Sequence, residues 1–350
     1  MSMSILLTLY LLPSVLVVLW AERRARLREG AAAAVRTTRE AGTPAMHRLP
    51  RQAAIPAPAP APAPAMTTET LGRLVDGLNA YFSGGDGAGD EARLAIESDG
   101  SIRARYRGLQ LHSRYAALHA RSGVVSGRQA GVQVFTARGE AVSSWMPYAR
   151  TLDKDQVVRL DRLIRTLHVL NATHTPWNGR TLPLWLPVHP LHLRSLPGAF
   201  GAAFADILQR CGRTPADIVL EFTDADRLPA ERLTAAIEGF RSRGFGIACL
   251  LRGDDPDWLK RILALAPDAL RLGPAHLEAA TGSHHERRRL AARITQARQA
   301  GVKVWLSGAS TSDRIDLAMA LGADGWLDEA VSADLALPDT GTAGLPLAAR

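Results

Sequence analysis

Side chains able to bind a metal or move a proton fall, in this 350-residue chain, mostly at the ends of apolar runs. Glu221 lies within Ile218-Val219-Leu220-Glu221-Phe222, and Asp224 follows it closely. Asp254, Asp255 and Asp257 come after the apolar run that ends at Leu251. Hard divalent cations need several oxygen ligands, but these three aspartates stand where the next helix begins, a position that favours acidic residues for its dipole. His189 and His192 are three residues apart, yet Pro190 between them works against a helical metal face. The run His284-His285-Glu286-Arg287-Arg288-Arg289 reads as a basic, solvated loop entering a helix. Ser307 and Ser310 have no motif that supplies a histidine base, so nucleophilic catalysis has no support. Cys211 closes an apolar helical face and Cys249 sits in an apolar strand, as small buried hydrophobes do. No glycine-rich phosphate loop follows a strand.

The elements that must position these residues alternate. A helix over residues 153–171 carries Val157, Leu160, Ile164 and Leu167 on one face. Strand patterns follow at 182–188, 217–222, 246–251, 269–272 and 302–306, with a last one near Trp326. Helical patterns separate them: one after Pro197 burying Phe200, Phe204, Ile207 and Leu208, one opened by Pro229, and others near 258–265, 286–300 and 312–321. Consecutive β-α units of this size suit a TIM-like (β/α) barrel, and a doubly wound open sheet has the same local pattern.

The amino-terminal part reads differently. Residues 5–21 are apolar and uncharged, about the shortest length that spans a bilayer. Arginines follow the run, which by the positive-inside rule puts the rest of the chain in the cytoplasm, anchored at the inner membrane. A cleaved signal, or a true start at Met66, are the alternatives, the latter leaving a plainly cytoplasmic protein. The stem over residues 22–65 has eight arginines against Glu22, Glu29 and Glu40, and so holds five of the chain's eight net positive charges. Its end, residues 53–65, is an Ala/Pro spacer that cannot build a core. The globular part is only mildly basic and lacks an aromatic-basic stripe, so direct nucleic-acid binding is not expected. The expected organisation is an anchor at 1–21, stem and linker at 22–65, a helix and lead-in at 66–104, the barrel at 105–340 and a flexible tail at 341–350.

Several segments, in order and spacing, resemble the bacterial EAL domain, a modified TIM barrel that hydrolyses cyclic di-GMP. The resemblance covers roughly residues 109–335 and rests on register across the stretch. Gln133-Val134-Phe135 stands for Glu-Ala-Leu. Met146-Pro147-Tyr148-Ala149 and Leu160-Asp161-Arg162 resemble Ile-Pro-Leu-Ala and Leu-Asp-Arg. Leu184 to Leu193 is similar to the strand reading Val-Asn-Leu-Ser-Pro, and Leu220-Glu221-Phe222-Thr223-Asp224 to Leu-Glu-Ile-Thr-Glu. Leu250-Leu251 falls on Asp-Asp, Arg271-Leu272-Gly273 on Lys-Ile-Asp, and Leu306-Ser307-Gly308-Ala309-Ser310-Thr311 on Ala-Glu-Gly-Val-Glu-Thr.

The resemblance implies two divalent metals at the carboxyl ends of the strands. On this sequence the implied ligand set is depleted. Gln133 replaces a glutamate, Pro187 an asparagine, Leu250 and Leu251 the aspartate pair, Arg271 the catalytic lysine, Gly273 an aspartate, and Ser307 and Ser310 two glutamates. Glu221 remains, with Asp224 nearby. Arginine keeps the lysine's charge, but its pKa is too high for ready proton transfer. The expectation is a regulatory protein without enzymatic activity and without a cofactor, working through protein contacts, including on transcription regulators. A receptor that binds cyclic di-GMP without cleaving it is the alternative, and a working phosphodiesterase a third reading. The expected partner surfaces are Arg287, Arg288 and Arg289, and an exposed row of Arg159, Arg162 and Arg165.

Overall fold

The computed structural model describes residues 67–83, 92–196, 198, 200–224, 228–253 and 255–327. The anchor expected at 1–21, the stem and linker at 22–65 and the tail at 341–350 lie outside these residues. No described helix is long and apolar enough to cross a membrane.

The elements run α1 (Thr68–Ser83), β1 (Ala92–Ile96), β2 (Ile102–Tyr106), β3 (Leu109–Ala120), β4 (Val125–Thr136), β5 (Ala141–Val142), α2 (Met146–Ala149) and α3 (Lys154–His174). Then come β6 (Leu184–Val188), α4 (Pro190–Ser195), α5 (Ala202–Arg210), β7 (Ile218–Phe222), α6 (Ala230–Arg241), β8 (Gly246–Leu251) and α7 (Pro256–Ala264). The chain continues through β9 (Ala269–Leu272), α8 (Pro274–Gly282), α9 (His284–Gln299), β10 (Lys303–Ser307), α10 (Ser312–Ala320) and β11 (Gly325–Leu327).

Strands β3, β4 and β6 to β11 close into an eight-stranded barrel, which decides between the two architectures that periodicity leaves open. Neighbouring strands pair in parallel from β4 through β6 to β11. β3 runs antiparallel to both β4 and β11 and completes the ring. This antiparallel closure, and the hairpin β1–β2 that extends it, have no counterpart in a simple β-α alternation. Gly325 permits the closure: a Cβ there would collide with the His119 carbonyl of β3 and the Trp305 indole of β10.

Local chemistry explains the element ends. Asp153 caps α3 by accepting from the Gln156 amide, and Ser283 and Thr311 cap α9 and α10 in the same way. Pro190, Pro256 and Pro274 occupy first turns, where no amide hydrogen is missed. At the opposite end of the barrel, Asp268 and Asp324 accept from the Ile247 and Val304 amides and lock adjacent strands in register. Arginines satisfy loop and helix-end carbonyls there: Arg241 those of Leu265 and Ala266, Arg298 that of Gly322, and Arg121 those of Met319 and Ala323. These three arginines are thus tied to backbone oxygens.

One apolar core lies between barrel and helices, and a smaller one of Leu118, Trp185, Ala248, Ala269 and Leu327 lies inside the barrel. Helix α3 is buried on nearly all sides from Val157 onward, because α1 and the β1–β2 hairpin form a further layer around it. Two asparagines tie that layer down. Asn79 of α1 holds both the amide and the carbonyl of Leu94, and Asn171 of α3 does the same for Ile102. The expectation that Arg159, Arg162 and Arg165 line an exposed face is corrected: Arg165 is 1% exposed, packed against His192 of α4 and Phe204 of α5, and Arg159 and Arg162 are half-buried. The basic loop expected before the next helix is corrected too, since residues 284–289 already form the first turns of α9.

Candidate functional site at the barrel mouth

Side chains alternate along each barrel strand, so the inward set follows from the register. Val219 and Trp185 are partners, as are Glu221 with Ala248 and Leu250 with Arg271, and Arg271 faces Trp305. The floor is apolar, with Trp185 and Trp305 edge to face at 5.2 Å. Above it, toward the carboxyl ends of the strands, sits a polar layer. Arg271 Nε lies 2.5 Å from Glu221 Oε1 and its Nη2 donates to Oε2 at 2.8 Å. Its Nη1 donates to Ser307 Oγ at 2.8 Å, and Gln129 Nε2 donates to Glu221 Oε2 at 2.8 Å.

Gln129, Glu221, Arg271 and Ser307 are each no more than 1% exposed. A fork-to-fork guanidinium–carboxylate pair is the strongest geometry open to these groups, and burial makes each partner depend on the other. Both carboxylate oxygens of Glu221 already accept hydrogen bonds, and a second cation beside it would face the guanidinium charge at contact range.

The remaining family positions do not join this cluster. Pro187 pairs with Glu221 across the strands and offers no side-chain oxygen, and Leu250 is apolar and 3% exposed. Leu251 belongs to the outer core. Gly273 precedes α8, its amide bonded to the Leu251 carbonyl. Ser310 is exposed just before the α10 cap. Asp224, with a left-handed φ of 47°, lies 3.6 Å from Arg252 in a partly exposed ion pair. Gln133 is exposed and pairs with His112 on the part of β4 that rises beyond the barrel, so it does not occupy the inner layer expected of it. Gln129, four residues earlier, does. A shift of four preserves the inward parity of a strand, so alternation alone could not separate the two; closure of the barrel does.

The aspartates past β8 behave as a helix start: Asp255 caps α7 by accepting from the Asp257 amide, while Asp254 lies outside the described residues. Among the described residues no group of three or more His, Cys, Asp or Glu side chains converges to hold a metal. Burial pushes the Cys211 and Cys249 thiols up to about 12, which removes them as nucleophiles.

A second buried network joins α2, α3 and α4 outside the barrel. Asp161 pairs with Arg165 at 2.6 Å, accepts from the Tyr148 hydroxyl at 3.1 Å and from the His189 amide at 3.3 Å. Burial alone would raise the Asp161 carboxyl, but its surroundings, the Arg165 guanidinium foremost, outweigh it and hold it below the ordinary carboxylate range. His189 accepts from the Leu191 amide through Nδ1 and stacks on Tyr148 at 3.8 Å. Burial lowers His189 to about 4 and His192 to about 3. These histidines are cap and packing partners within that network.

Of the expected arginine surface, Arg289 pairs with Glu286 at 2.9 Å and Arg287 donates to the Ala280 carbonyl. Arg288 is exposed on α9.

The sequence model of the EAL domain matches residues 100–326. Among solved structures, Klebsiella pneumoniae BlrP1 with manganese and cyclic di-GMP is similar at TM-score 0.52 and 16% identity, over 68% of this chain and 57% of that one. The same protein with calcium and cyclic di-GMP gives 0.53 and 17%, over 62% and 54%. The Bacillus subtilis YkuI protein, which has an EAL domain and was solved with cyclic di-GMP and calcium, gives 0.50 and 20%, over 62% and 53%. The chain thus spans little more than half the length of these proteins, and the likeness is one of fold. No curated protein sequence matches it.

Proposed function

The chain belongs to the EAL domain family of cyclic-di-GMP signalling, and on that footing we propose that it is a regulatory protein without phosphodiesterase activity, acting through contacts with a protein partner. The observation that carries this reading is the closure of Glu221 by Arg271. Where the resemblance implies two divalent cations, the residues present do not fit them. The inner layer offers one carboxylate, already neutralised, beside proline, leucine, serine and glutamine. The guanidinium balances the Glu221 charge that a metal would otherwise balance, so the barrel keeps its packing while losing its Lewis acid. Gln129 of β4 then takes the part assigned from sequence to Gln133, a neutral group beside Glu221.

Cyclic-di-GMP binding is weak or absent in this reading, because Leu250 and Pro187 give the ligand's buried phosphates nothing to pair with. The partner is a protein, a transcription regulator among the candidates, met in the cytoplasm or at the inner face of the membrane if residues 5–21 serve as an anchor. The test is a hydrolysis assay with Mg²⁺ or Mn²⁺ alongside calorimetry with cyclic di-GMP. Neither turnover nor tight binding is expected. Turnover that vanishes in E221A would overturn the proposal, and a sub-micromolar Kd would replace it with the receptor reading.

A further inference from the structure

Above the barrel, β1 to β5 continue as an antiparallel sheet whose two faces differ sharply. Leu94, Ala104, Leu111 and Val134 share one row and are buried against the helices. The alternate row on the other face reads Arg93, Arg105, Gln110, Phe135, Ala141. Arg103, His112 and Gln133 stand on the same face one row away, since side chains two residues apart share a face. Arg93 and Arg105 are exposed and directly opposite each other, and neither side chain makes a hydrogen bond or ion pair among the described residues. Arg103 has Glu97 at 3.9 Å. Like charges directly across a strand pair are destabilising, so the free protein bears a cost here that an anionic partner would relieve.

A groove runs from these two arginines to α1, whose side is formed by Gly72, Val75, Asp76 and Asn79. Glycine is a poor helix former, and nothing stands within 4 Å of where the Cβ of Gly72 would be. The missing side chain leaves the groove open.

We propose that this face, centred on Arg93 and Arg105 and bounded by the α1 groove, is the docking surface for a carboxylate-rich segment of a protein partner. The proposal rests on the protein-contact reading above and supplies its surface. Charge complementarity commits it to an acidic occupant. Addition of a partner strand to the β1 edge is blocked at Leu94, where Asn79 already takes both backbone groups, so recognition falls to side chains. Single-stranded nucleic acid fits less well, because such platforms use successive exposed rings. The ring in the central row is Phe135, half-buried and tilted against His112 at 4.8 Å.

The full chain titrated with a labelled decaglutamate peptide, at low and high salt, tests this. R93E/R105E is expected to weaken binding by at least about tenfold and to flatten its salt dependence, while R287E/R288E changes it by less than about twofold. R93Q/R105Q is expected to weaken binding while holding or raising Tm, a result that a purely structural role for the arginines would not produce. Oligothymidylate of equal length is expected to bind more weakly than the peptide. Undiminished peptide binding in R93Q/R105Q, equal loss in the α9 variant, or tighter binding of the oligonucleotide overturns the proposal. The hydrolysis assay stands apart from these outcomes, so failure of the docking surface and failure of the non-catalytic reading are told apart.

Discussion

At the scale of single residues, arginine at position 271, where the resemblance implies a lysine, changes more than a proton donor. A lysine there would offer a movable point charge and leave Glu221 free to bind a cation. Arg271 instead holds both oxygens of Glu221 and reaches Ser307 as well. Serine where the family carries glutamate removes the repulsion and desolvation that a second buried carboxylate would add. The substitutions therefore support one another as a set. R271A, which leaves a buried uncompensated carboxylate, should lower stability by about 3–5 kcal/mol in urea denaturation. The double variant E221M/R271M should lose less than R271A alone, because replacing both ions by packed apolar groups costs little. A larger loss in the double variant would show that the charges do more than neutralise each other.

At the scale of elements, α3 carries much of the buried polar chemistry outside the barrel and predicts a response to acid. His168 on α3 is lowered to about 3 by burial, like His192 on α4, and His189 to about 4. All three stay neutral in the folded protein down to those values, whereas in the unfolded chain they take up protons below about pH 6.5. The unfolded state then binds more protons, so stability falls as pH drops from about 6.5 toward 4, by up to about 1.4 kcal/mol per pH unit per histidine. Asp161, held low by its partners in spite of burial, adds its loss at still lower pH. Urea midpoints measured at pH 7.5, 6 and 5 should decline, and H168Q should make the decline shallower. A flat profile would mean that these rings are charged, or solvated, in the folded state.

At the scale of the whole molecule, the amino-terminal layer is structural. Leu71, Val75, Leu78 and Phe82 of α1 share the core with Leu160, Leu163 and Leu167 of α3, and β2 continues the barrel sheet. A chain starting at Met66 should melt cooperatively, as the Ala/Pro spacer before it can add nothing to that core. A chain starting at Leu109 would uncover α3 and the apolar row of β3, and should bind the dye ANS and melt broadly. Cooperative melting of the shorter chain would show that the layer is an accessory.

The sequence by itself determined most elements from α3 onward, though not α4 or α8, and it singled out Glu221, Arg271 and Ser307 at the mouth. Most of these helices have a local cap or an opening proline and a 3.6-residue apolar period, the strands are short apolar runs, and these are properties of neighbours along the chain. It also determined that Leu250, Leu251, Pro187 and Gly273, where the resemblance implies aspartates and an asparagine, supply no side-chain oxygen in any fold. Tertiary structure alone decided what depends on distant segments meeting. The barrel closes because β3 pairs with β4 and β11, over 200 residues apart from one end of that contact to the other. That closure brings Gln129 rather than Gln133 onto Glu221, because two positions of equal parity in one strand differ only in height along the barrel. Packing between elements also buries Arg165, since His192 of α4 and Phe204 of α5 close over it. Periodicity reports which face of an element is apolar, and only assembly reports what comes to cover the rest.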